Sequence, residues 1–171
     1  PQHIGEVIGI TKAYCTRVGS GPFPTELNDD NGEMLRIQGA EFGSTTGRPR
    51  RCGWIDLVQL NYTIMLNGVT QLVMTKIDVL EGFDAIEVCT AYEIDGKVCT
   101  QIPYEINDLE IKPLLASYPG WKESIKGLTE FNDLPKEASD YLLSVQSLLQ
   151  VPFSMISTGP ERESLIFNPA P

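Results

Sequence analysis

Histidine is almost absent: His3 is the only one, and the four cysteines, Cys15, Cys52, Cys89 and Cys99, include no C-x-x-C pair. A structural zinc site, which needs about four nitrogen or sulfur ligands at characteristic spacings, is therefore not expected. A Ser-His-Asp nucleophile set has no well-placed histidine to build on, and His3 reads as an exposed residue near the terminus. No run approaches the roughly 18 apolar residues that cross a bilayer, and the start lacks a basic region followed by an apolar one, so nothing addresses a membrane or the secretory path. Basic residues are scarce, 13 against 23 acidic, for a net charge of −10. That balance disfavours nucleic acid and anionic membranes as partners. A G-x-x-x-x-G-K-[ST] phosphate loop is missing too.

What is present describes one folded domain. The chain has 171 residues, 42% hydrophobic and 21% charged, close to ordinary globular usage and far from disorder. Asp95-Gly96 is a strong two-residue hairpin signal between two β-prone runs, and pairing outward from it sets Ile94 opposite Lys97, Glu93 opposite Val98 and Tyr92 opposite Cys99. Cys89 would then face Ile102, on the opposite face from Cys99, so a Cys89–Cys99 disulfide is not expected. Reduced thiols fit a reducing compartment such as the cytoplasm. A strand-like run, Ile4 to Tyr14, begins almost at Pro1, which suggests that chain upstream has been removed.

The patterning predicts helix from about Cys52 or Gly53 to Asn67, stopped by Asn67-Gly68, and a strand from Val69 to Thr75. Leu27 to Glu33 reads as polar and turn-rich, and Asn107 to Asp133 as irregular, broken by Pro113, Pro119 and Gly120. A second helix runs from Pro135 to about Gln150, with Ala138, Tyr141, Leu142, Val145, Leu148 and Leu149 on one apolar face. Val151 to Ile156 reads as a strand. Helix followed by strand, twice, with a hairpin between, argues an α/β domain with a mixed, mostly parallel sheet and flanking helices.

Ligands in open α/β sheets collect at the carboxyl ends of strands, and two strands here end in polar loops. Thr75-Lys76-Ile77-Asp78 is of the N/T-K-x-D type, in which the aspartate accepts from guanine N1–H and the exocyclic amine while the lysine stem packs on the purine. Taken alone, such a tetrapeptide reads more often as solvated charge. Ser157-Thr158-Gly159 is small enough to bring backbone amides to the guanine O6. The strongest local signal is Gly43 to Arg51, where Thr45, Thr46 and Gly47 precede Arg48, Arg50 and Arg51. Hydroxyls, amides and guanidinium forks so concentrated suit an anionic group, aided by the N-terminus of the helix expected to follow; a basic surface turn is the plain alternative. Trp54 and Trp121 are expected to pack in the core.

Two long motifs resemble adenylosuccinate synthetases: Lys12-Ala13-Tyr14-Cys15-Thr16-Arg17-Val18-Gly19-Ser20-Gly21-Pro22-Phe23-Pro24-Thr25-Glu26, and Glu41-Phe42-Gly43-Ser44-Thr45-Thr46-Gly47-Arg48-Pro49-Arg50-Arg51-Cys52-Gly53-Trp54. Thr75 to Leu80 and Ser157 to Pro160 fall in that family's order. The resemblance implies a P-loop-NTPase-like fold and a cytoplasmic, Mg2+-dependent, homodimeric ligase of purine biosynthesis. Such an enzyme joins IMP and L-aspartate at the expense of GTP, phosphorylating the IMP 6-oxygen before the aspartate amine displaces that phosphate. It further implies that Lys76, Ile77 and Asp78 with Ser157, Thr158 and Gly159 bind the guanine, and that Val18 meets the IMP ribose. Ser44, Thr45, Thr46, Gly47, Arg48, Pro49 and Arg50 form the aspartate-recognition loop, with Arg48 serving aspartate and the IMP region and Arg50 reaching toward GTP. Pro49 stands where some members carry a basic residue. The family's phosphate loop, catalytic aspartate, catalytic histidine and magnesium ligands have no counterpart in this sequence. It thus resembles the C-terminal part of such an enzyme, expected to be inactive alone; the alternative is a non-catalytic guanine nucleotide-binding or interaction module.

Overall fold

The computed structural model describes residues 5–107 and 109–167; His3 lies outside them. Among these residues two sheets and three α-helices share a core. The first sheet contains β1 (Ile8–Lys12), β4 (Gln71–Thr75), β8 (Phe153–Ser157) and β9 (Leu165–Phe167) in that order, parallel except for β9. The second is built on the long β5 (Ala85–Ile94), which pairs with β3 (Arg51–Asp56), β6 (Lys97–Cys99) and β7 (Lys112–Pro119), while β2 (Tyr14–Arg17) pairs with β3. The mixed α/β architecture is the expected one, distributed over two sheets instead of one.

The run expected as one strand from Ile4 to Tyr14 is the seam. It breaks at Ala13, whose N–H donates to the Thr75 carbonyl at 2.9 Å. β1 therefore completes the parallel sheet while β2 turns into the other. The hairpin register at Asp95-Gly96 is as expected, Tyr92 with Cys99, Glu93 with Val98 and Ile94 with Lys97. Cys89 does not face Ile102: β6 ends at Cys99, and Cys89 is matched with Asp56 and Leu115 instead. All four cysteines are free thiols.

Three elements differ from the sequence expectation. The helix assigned from Cys52 begins at Leu57; residues 51 to 56 are β3, and α2 (Leu57–Asn67) starts where Asp56 caps the Val58 and Gln59 N–H groups at 3.0 and 3.2 Å. Trp54 and Ile55 suit either period, and strand pairing with β2 decides it. The polar segment from Leu27 leads into α1 (Asp30–Gln38), capped by Asp29 onto the Gly32 N–H. Gly32 is needed there, since a Cβ would stand 2.3 Å from the Leu27 carbonyl oxygen. Within the supposedly irregular 107–133 stretch lies β7, an edge strand paired only with β5, where Pro113 and Pro119 can sit without removing a ladder bond.

α3 (Lys136–Leu149) buries Ala138, Tyr141, Leu142, Val145 and Leu149, but Leu148 points out, 46% exposed, and Pro135 is the cap residue instead of the first helical one. Trp54 and Trp121 are core residues, as expected.

Candidate functional site

Because β1, β4 and β8 run parallel, their carboxyl ends, Lys12, Thr75 and Ser157, lie at one end of the sheet. At that end stands the one fully buried glutamate among the described residues, Glu41. Its Oε1 accepts from Tyr14 Oη at 2.6 Å, Lys12 Nζ at 2.8 Å and Lys76 Nζ at 2.9 Å, and its Oε2 accepts from Arg50 Nη1 at 2.7 Å. The backbone is fixed as well: the Glu41 N–H donates to the Arg36 carbonyl at 2.9 Å, and the Arg50 N–H donates to the Glu41 carbonyl at 3.0 Å.

Burial alone would raise the pKa of this carboxyl, but hydrogen bonds from Lys12, Tyr14, Lys76 and Arg50 outweigh it and hold it down at about 2. The Tyr14 phenol is pushed far up by burial and by the carboxylate it faces. Tyr14 is thus a fixed donor and Glu41 a fixed anion.

Lys76 and Asp78 flank the turn after β4. Lys76 adopts a left-handed conformation, φ 61°, and its ammonium is anchored on Glu41 and on the Gly39 carbonyl at 2.6 Å. Such a conformation costs a non-glycine residue about 1 kcal/mol, and the anchored side chain offsets it. Ile77 is fully buried, so only its backbone could meet a ligand. Asp78 is half-buried; burial pushes its carboxyl pKa up, against the pull of Lys126 and Lys76.

The second loop lies beside it. Ser157 Oγ donates to the Gly159 carbonyl at 2.9 Å, and the fully buried Thr158 donates its hydroxyl to the Leu128 carbonyl at 2.8 Å and its N–H to the Ser164 carbonyl at 3.0 Å. The Thr158 hydroxyl is therefore satisfied within the protein, where it shapes the loop. A Cβ on Gly159 would sit 3.4 Å from the Lys126 Cγ, so the lysine whose charge acts on Asp78 also packs on the Ser157–Gly159 loop.

The arginine loop is closed at its neck by a bridge between Phe42 and Pro49, with Gly43 N–H donating to Arg48 O at 2.9 Å and Gly47 N–H to Gly43 O at 2.8 Å. Gly47, at φ 64°, supplies the left-handed turn. A pocket of about 140 Å³ is lined by Arg17, Val18, Thr46, Arg48, Pro49 and Arg50, among others. Ser44, Thr45 and Gly47 stand exposed on the crest, outside that lining. The loop runs directly into strand β3, so the anion-attracting helix N-terminus expected there is not available.

The three arginines of the motif separate by role. Arg51 makes a two-point pair with Glu26, at 2.7 and 2.5 Å, and donates to the Gly19 and Gly21 carbonyls, fixing the loop that carries Val18. Arg50 gives one nitrogen to Glu41. Arg48 is exposed, with no side-chain partner among the described residues. Arg17, which sequence reasoning did not single out, is a further exposed arginine that lines the same pocket.

Lys12, Tyr14, Glu41 and Lys126 were also missed. Their partners are scattered over the chain, and no local pattern marks a glutamate between Ala40 and Phe42 as buried.

This geometry has close relatives. The adenylosuccinate synthetase family profile matches residues 1–166. The chain belongs to the adenylosuccinate synthetase family. It is 52% identical over 168 residues to the adenylosuccinate synthetase of Azobacteroides pseudotrichonymphae genomovar. CFP2, covering 98% of this chain and 40% of that protein. The adenylosuccinate synthetase of Porphyromonas gingivalis is 51% identical over 170 residues, covering 99% and 40%. A solved structure titled as a fully ligated adenylosuccinate synthetase from Plasmodium falciparum superposes with a TM-score of 0.91 at 40% identity, over 97% of this chain and 40% of that one. The chain thus spans about two fifths of the length of these family members, and its fold is the P-loop-like one of the family.

Proposed function

We propose that this chain is the part of an adenylosuccinate synthetase that supplies the guanine-binding and aspartate-recognition loops. The whole enzyme would join IMP and L-aspartate to adenylosuccinate at the expense of GTP, in purine nucleotide synthesis. The observation that carries this reading is the convergence of both loops on one carboxylate: Lys76 of the first and Arg50 of the second both bind Glu41 at the carboxyl end of the parallel strands.

Asp78 accepts from N1–H and the exocyclic amine of guanine, a pattern adenine cannot supply because its ring nitrogen there is an acceptor. The stem of Lys76 lies under the purine while its ammonium stays on Glu41. Thr45, Thr46 and Arg48 take the aspartate carboxylates, and Arg50, held by Nη1, offers its remaining donors toward the nucleotide. Val18 meets the IMP ribose through its backbone. Mg2+, GTP as co-substrate, a cytoplasmic setting and a homodimer belong to the reading of the whole enzyme. Among the described residues no group of three or more His, Cys, Asp or Glu side chains is placed to hold a metal. The Mg2+ ligands are expected in the rest of the enzyme, and this chain alone is expected to be inactive.

The intact mass of the native gene product, with the position of this chain's peptides inside it, tests the assignment. A species about two and a half times this chain's 18.9 kDa, with these peptides in its C-terminal part and GTP-dependent adenylosuccinate formation, is the expected result. A native species of the same mass overturns the assignment in favour of a binding module without catalysis, and peptides in the N-terminal part overturn the placement. Guanine-selective binding by the full-length protein, lost in Asp78→Ala, is the companion result; equal GTP and ATP affinity counts against the guanine loop.

A further inference from the structure

We propose that Glu41 is the positioning residue that couples the guanine subsite to the anion-binding arginine loop, so that binding at either is felt at the other. The inference rests on the function proposed above, in which Glu41 is only the point where the two loops meet, and assigns that carboxylate a part in ligand binding.

One buried carboxylate holds a side chain from each subsite. Oε1 takes Lys76 at 2.9 Å and Oε2 takes Arg50 at 2.7 Å. Neither cation is buried with it: their side chains are 38% and 34% exposed, so each reaches from a buried anchor toward the surface where a ligand would lie. Arg50 commits only Nη1, leaving its other nitrogens without a protein partner among the described residues. Lys76 is further constrained by its left-handed backbone and by the Gly39 carbonyl. Displacing one cation therefore changes the field that positions the other.

Lys12, at 2.8 Å on the same Oε1, and the Tyr14 hydroxyl at 2.6 Å complete the acceptor's demand. Without the Glu41 charge, three cations would face one another across a few ångströms. Lys76 and Arg50 would swing apart, and each subsite would lose its geometry. A glutamate serving only the core would instead lower stability and leave ligand affinities alone.

The test uses the full-length synthetase that contains this chain. Glu41→Gln keeps the shape and removes the charge, and is expected to raise KM for GTP and KM for aspartate together, each by about tenfold, with a smaller change in kcat. Glu41→Asp, which keeps the charge, recovers part of both. The second variant is Lys76→Met, assayed at saturating GTP: KM for aspartate rises several-fold although Lys76 belongs to the guanine loop. That variant decides the matter if Glu41→Gln does not fold. Affinities that move at one subsite only, or an unchanged KM for aspartate in Lys76→Met, overturn the coupling. Absence of adenylosuccinate synthesis in the unmodified full-length enzyme overturns the proposed function itself, and the coupling with it.

Discussion

Two carboxylates, Glu41 and Asp56, are buried among different partners, and their pKa values are pushed in opposite directions. Glu41 is surrounded by three cations and a phenol, and its pKa falls to about 2. Asp56 is as deeply buried, 2% exposed, yet has only neutral donors: Tyr92 Oη at 2.5 Å, Gln59 Nε2 at 3.1 Å and the N–H groups of Val58 and Gln59. Burial pushes its pKa up despite those hydrogen bonds. An acid that only has to cap a helix can be satisfied by neutral donors. Three partly exposed cations drawn onto one buried anion do more than a cap requires, and two of them, Arg50 and Lys76, belong to loops while Lys12 ends β1.

Glu41→Ala should therefore be the most damaging single change to stability. It leaves the Tyr14 hydroxyl buried without an acceptor and three cations without a counter-ion, although these can still reach water. A loss of about 3 kcal/mol is expected, measured by denaturant unfolding. The pH dependence carries the same signature. Because the folded pKa of Glu41 lies below its ordinary value, its contribution is present above about pH 4.5 and is lost as pH falls toward about 2. In Glu41→Gln that part of the acid limb should vanish. Asp56 works the other way: its stabilising share is complete below the ordinary aspartate range and is lost as pH rises through its raised folded value. An unchanged acid limb in Glu41→Gln would break the contrast.

Asp56→Ala comes next, at about 2 kcal/mol, from a lost helix cap and a stranded Tyr92 hydroxyl. No cation is released by this change, so neither KM of the proposed full-length synthetase should move by more than about twofold. A large effect on aspartate or GTP affinity would make Asp56 part of the site.

The same contrast explains what the sequence showed and what it hid. The hairpin register was legible because Asp95-Gly96 is local chemistry acting over a few residues. The loops at 43–51, 75–78 and 157–159 were legible as motifs, and the structure brings Thr46, Arg48 and Arg50 to one pocket with Val18. Glu41 was hidden because its role exists only after residues 12, 14, 50 and 76 have been folded together. β7 was hidden by its prolines, which are harmless on an edge, and α1 by the polar run Asn28 to Gly32, although Asp29 ahead of it is a capping residue. The strand within Arg51–Asp56 was read as helix because a short apolar run carries no decisive period, and only pairing with β2 resolves it.

The smallest effects sharpen the comparison most, because they remove one donor from each acid. Tyr14 and Tyr92 both donate a phenolic hydrogen, at 2.6 and 2.5 Å, to a buried carboxylate. Tyr14→Phe leaves Glu41 Oε1 with two lysines and Oε2 with Arg50, so the acid stays satisfied and the cost should be about 0.5 kcal/mol. Tyr92→Phe leaves Asp56 Oδ2 with only the Gln59 side-chain amide, and should cost about 1.5 kcal/mol and raise the Asp56 pKa further. Chemical denaturation of the two variants near neutral pH gives both numbers. Equal costs would mean that the lysines do not support Glu41 as their distances imply, whereas a larger loss for Tyr92→Phe ties the tolerance of each acid to the charge of its neighbours.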